Sequence, residues 1–110
     1  MDINEFMRKH RKVTIINGTR YQDKTPQIVC GDGLKMSVQA GGFLYCSPRV
    51  DEASHYDSVE IGFPSERIEE IMEWAEDAKH PTDTVYGWVP VDIVDAVIEK
   101  HGGIDVEKSK

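Results

Sequence analysis

No apolar run in this chain approaches the roughly 20 residues of a membrane-spanning helix, so no membrane segment is expected. The opening stretch, MDINEFMRKHRK, lacks the apolar centre of a secretory signal. Cysteine is scarce as well. Two thiols, Cys30 and Cys46, cannot build a disulfide framework, which points to a reducing interior and to the cytoplasm. No CxxC or HxxxH stands beside them, and His55, His80 and His101 are scattered. Two buried structural thiols are the expectation, and no metal; whether they lie close together is not legible in the sequence.

Positive charge is short too. Lys and Arg number 13 against 20 Asp and Glu, for a net charge of −7 over 110 residues. Direct nucleic-acid binding through the phosphates asks for a basic face, so it is not expected. The one dense basic run, Arg8 to Lys12, lies beside the chain end. Residues 2–9 offer few apolar positions for a helix, and residues 1–12 are read as a flexible segment. An acidic chain can also imitate nucleic acid before a basic partner, which keeps a protein-binding reading open.

Catalytic signatures are missing. No GxSxG elbow, GxxxxGK[ST] loop or GxGxxG after a strand occurs. Gly31-Asp32-Gly33 and Gly41-Gly42 are explained by turn chemistry alone. The acids fall mostly on helix faces expected to be solvated. No catalytic residue and no cofactor is nominated, and the chain is read as a non-enzyme.

What is present is a change of period. KVTIIN reads as a strand, Asn17-Gly18 as a hairpin turn and TRYQD as the return. QIVC follows, then LKMSVQA, with Leu34, Met36 and Val38 on one face. FLYCS and SVEIGF complete the set, the last with Val59, Ile61 and Phe63 together. After Pro64-Ser65 the spacing becomes helical, with Ile68, Ile71, Met72 and Ala75 on one stripe. A second stripe, Val91, Val94, Val97 and Ile98, follows Pro90 and ends at Gly102. The expected fold is α+β, an N-terminal antiparallel β-sheet of about five short strands followed by two C-terminal α-helices. Residues 13–104 form the single domain, and 105–110 a frayed tail.

A binding constellation remains. Arginine beside an aromatic ring offers a fork for phosphate and a flat face for a base. Arg20 and Tyr21, Tyr45 and Arg49, and Tyr86 with Trp88 are the candidate ligand-binding residues. For each ring, burial in the core or in an interface is the competing assignment.

The segments CGDGLKMSVQA, YCSPR, VEIGFPS and TVYGWVPVDIVDAVIEKHGGI resemble small proteins encoded by phages and prophages of gut Firmicutes. The ordering of sheet and helices in a small acidic chain is similar to the type 1 Thoeris anti-defence family. That resemblance implies a phage sponge acting in the cytoplasm of the host bacterium. Such a protein binds cyclic nucleotide immune signals, cyclic ADP-ribose isomers and also cyclic di- or trinucleotides, and sequesters them uncleaved. It implies a homo-oligomer with pockets between subunits. The alternative is a phage inhibitor that binds a host defence complex directly, as anti-CRISPR proteins do.

Overall fold

Asn17 and Gly18 turn the chain as that pair predicts. In a computed structural model describing residues 1–110, both take positive φ, 50° and 80°, as a type I′ turn requires. They join β1 (Val13–Ile16) to β2 (Thr19–Gln22), with Ile15 opposite Arg20. This hairpin is a sheet of its own rather than the start of one continuous meander. A lone two-stranded ribbon is marginal in water. Polar ties hold this one to the body: Arg20 pairs with Glu52, and Gln22 Nε2 donates to the Ala40 carbonyl at 2.6 Å.

The main sheet has four antiparallel strands in sequence order. They are β3 (Ile28–Val29), β4 (Lys35–Gln39), β5 (Ser58–Gly62) and β6 (Val85–Pro90). Leu34, Met36 and Val38 are buried together, as their alternation predicts, and so are Val59 and Ile61. Phe63 departs from that face. Its φ is 49°, a left-handed turn of the backbone that leaves the ring 55% exposed.

Three further expectations are corrected. FLYCS is not a strand: Leu44 N–H and Cys46 N–H bond to carbonyls two or three residues back, and only Ser47 bridges to β5. The Glu60 carboxylate accepts from Tyr45 N–H at 2.9 Å, and Cys46 Sγ accepts from Gly41 N–H. The first of the two C-terminal α-helices is absent; only a 3₁₀ helix, Glu69–Trp74, forms. Ser65, placed to cap such a helix, instead bonds to Lys35 at the start of β4, through its hydroxyl and its N–H. At the other end Ala75 bridges to Tyr86, which draws the chain into extended structure. The stripe itself was correctly read: Ile68 and Ile71 are buried, with Met72 and Ala75 packed against the core. The stretch between the two apolar stripes, to which the sequence assigned no element, contains β6.

The remaining helices close the core. α1 (Ile3–His10) occupies the segment expected to be flexible. Its apolar residues are few, but Ile3, Phe6 and Met7 fall on one face and are buried. Eight residues are too few for a stable isolated helix, so packing holds it. Asn4 and Tyr56 exchange two hydrogen bonds, at 3.0 and 2.8 Å, and Ile3 N–H donates to Asp95 at 2.8 Å. α2 (Val91–Lys100) buries the predicted stripe and ends at Gly102, whose φ of 92° is the left-handed residue expected just past a helix. The tail is anchored rather than loose. Ser109 is fully buried and accepts from Val29 N–H at 2.9 Å, while residues 103–105 pair along the outer edge of β3.

Candidate functional site

The β5–β6 ladder skips a residue. Val59 pairs with Val89 and Ile61 with Tyr86, so Glu60 alone stands opposite Gly87 and Trp88. A bulge of this kind re-aims side chains. It aims Trp88 outward, at 48% exposure, with φ of 54°. Bulky residues avoid that region, and holding one there costs about 1–3 kcal/mol.

Tyr45 secures the bulge. Its carbonyl accepts from Trp88 N–H at 2.9 Å, and its own N–H bonds to Glu60, the residue facing the extra pair. The Tyr45 and Trp88 rings stack with centroids 4.8 Å apart and planes 27° from parallel. A Cβ on Gly87 would lie 3.1 Å from Tyr45 Cβ, so the absence of a side chain at 87 is what lets the tyrosine settle on the strand. The Arg49 guanidinium lies 5.5 Å from the Tyr45 centroid, within cation–π range. Arg8, Arg11, Arg20 and Arg67 are all bonded to oxygens of the chain, and Arg49 is not.

Sequence reasoning missed two members of the site. Trp74 ends the 3₁₀ helix, and Glu76 N–H pairs with the Val85 carbonyl at 2.9 Å, which fixes both beside β6. Tyr45, Trp74, Glu76, Gly87 and Trp88 line a shallow groove of about 340 Å³. Glu76 is its only charged lining residue and has no cation beside it. The signal for Trp74 was its position: a large ring off the apolar stripe, among glutamates.

The nominated residues thus separate into three places. Tyr45, Arg49 and Trp88 come together. Tyr86, two residues from Trp88, is fully buried and its hydroxyl donates to the Pro81 carbonyl, so it belongs to the core. Burial raises its pKa. Arg20 is forked onto Glu52 at 2.8 and 3.2 Å, which raises the arginine and lowers the glutamate. Tyr21 borders a separate cleft of about 180 Å³ with Phe43 and Asp51.

The groove can stack a flat group and accept hydrogen bonds from its edge; Arg49 adds one cation nearby. The thiols are poorly suited to attack. Both are buried and free, burial pushes Cys30 up to about 11, and it raises Cys46 as well. No group of three or more His, Cys, Asp or Glu lies together to hold a metal ion. No helix is long and apolar enough to cross a membrane. Comparison with protein-family models, with characterised proteins and with solved structures returned no match to this chain.

Proposed function

We propose that this protein is a non-catalytic phage anti-defence sponge that binds and sequesters cyclic nucleotide immune signals. The observation that carries the reading is the exposed Tyr45–Trp88 stack, held on a strained bulge with an uncommitted arginine beside it. A core has no use for an exposed tryptophan at positive φ. A base stacked on such a platform gains about 1–3 kcal/mol, and Arg49 supplies the fork for phosphate. The groove is open and shallow, so a second copy of the chain is proposed to cover it, which makes the working unit a homo-oligomer.

Thermal shift against cyclic ADP-ribose isomers and cyclic di- and trinucleotides tests this. Ligand at a hundredfold excess over Kd stabilises the native state by about 2.7 kcal/mol, a visible rise in Tm. Recovery of intact nucleotide after denaturation separates sequestration from cleavage. A flat response across the panel rejects the reading.

A second reading has one observation in its favour. The groove's charged residue is acidic and the chain carries −7, which suits a basic surface on a host defence complex. It predicts salt-sensitive binding to a host protein, with no response to any nucleotide.

A further inference from the structure

We infer that the groove lined by Trp74, Trp88 and Tyr45 is a guanine subsite, read by the Glu76 carboxylate. The inference rests on the nucleotide reading above and narrows it. Three rings and a glycine line the groove, which selects a flat ligand. Glu76 selects among flat ligands. An ionised carboxylate only accepts hydrogen bonds, through two oxygens side by side. The other nearby carboxylate, Glu60, is engaged by Tyr45 N–H, whereas Glu76 has no donor from within the chain. Its backbone is fixed by the Val85 carbonyl and by the adjacent Ala75–Tyr86 bridge, so the side chain springs from a set place on the rim.

Of the common bases, guanine alone presents two adjacent donors, N1–H and the N2 amino group, in the spacing of a carboxylate. Adenine and cytosine each place an acceptor nitrogen beside their amino group, and its lone pair would face a carboxylate oxygen. Uracil has one N–H between two carbonyls. The groove therefore favours guanine-bearing cyclic oligonucleotides over cyclic ADP-ribose isomers, whose base is adenine. A well-made bidentate contact discriminates between bases by about tenfold to a hundredfold.

The experiment is isothermal titration of the full chain with cyclic di-GMP and cyclic di-AMP, repeated on Glu76→Gln and Trp88→Ala. Glu76 is exposed, so the glutamine variant keeps the fold, and an unchanged Tm checks that. The expected result is cyclic di-GMP bound at least about tenfold more tightly than cyclic di-AMP. In Glu76→Gln the preference disappears or inverts, because an amide offers one donor and one acceptor and matches adenine. Equal affinities in the unsubstituted protein, or a preference that survives Glu76→Gln, overturn the inference. If both nucleotides bind equally and Trp88→Ala removes both, the sponge reading stands and only the guanine assignment falls. If neither binds, the guanine assignment falls, and the sponge reading falls with it only when cyclic ADP-ribose isomers and cyclic trinucleotides also fail to bind. Arginine amide or tetramethylammonium bound in their place also overturns both, since three rings and a carboxylate would then be serving a cation.

Discussion

Arg20-Tyr21 and Arg49-Tyr45 are the same two residue types in two settings. On the hairpin, the arginine is forked onto Glu52 and its charge is already answered within the chain. On the platform, the arginine lies over its tyrosine and meets no carboxylate. The hairpin tyrosine borders a cleft of mixed charge, with Asp23, Lys24 and Asp51. The platform tyrosine is stacked, bonded at its N–H and its carbonyl, and seated on a glycine. An arginine beside a ring marks a binding site only where the guanidinium has no internal partner and the ring is fixed.

The contrast can be attacked at several points. The largest effect belongs to the core beneath the platform. Tyr86→Ala should cost about 3–5 kcal/mol in urea unfolding, while Trp88→Ala should stay within about 1 kcal/mol, since it loses exposed stacking and relieves strain. Equal losses would make Trp88 a core residue and end its assignment to a platform. Next comes Gly87→Val. Its side chain must displace Tyr45, at a cost of about 1–3 kcal/mol, and tryptophan fluorescence should report the lost stack. A spectrum like that of the unsubstituted protein would show that the close approach at 3.1 Å does not position the ring.

A smaller effect is expected at the hairpin, and it depends on pH. Arg20 holds Glu52 below the ordinary glutamate value. The pair's contribution is therefore complete above that ordinary value and is lost as pH falls through the lowered one. Hydrogen exchange at residues 13–22, corrected for intrinsic rate, should speed up in acid before that of β5 and β6. Simultaneous loss in both regions would contradict it. Smallest of all is Glu52→Gln at neutral pH. The pair is exposed, so Tm should hardly move, but it frees Arg20. Nucleotide affinity should be unchanged, and a rise would bring the hairpin into the site after all.

The strands with clean alternation were legible in sequence, and so was the Asn17-Gly18 turn, because local chemistry decides both. The stripe of α2 and its end at Gly102 were legible for the same reason. The 3₁₀ segment was half legible. Its apolar spacing gave the correct buried residues, but Ser65 was taken by Lys35 and Ala75 by Tyr86, partners 30 and 11 residues away that no local window contains. Trp88 was nominated with Tyr86 as a flat face for a base, yet the cause of its exposure, two residues opposite one, is a matter of register and appears only when β5 is laid beside β6. Arg20 and Arg49 looked equivalent because the sequence does not show where Glu52 lies. Trp74 and Glu76 were passed over because a helix was expected there, and its outer face was assigned to solvent.

The two ends of the chain are fastened to what lies far from them. Ile3 bonds to Asp95, Asn4 to Tyr56, and Val29 to Ser109, separations of 92, 52 and 80 residues. Contacts so distant in sequence are the slow ones to form. Until α2 is made the first helix lacks its Asp95 partner, and until residues 103–105 follow the outer edge of β3 stays bare. Folding therefore waits on α2 and the residues just after it, and a fragment stopped before α2 leaves the edge of β3 unpaired.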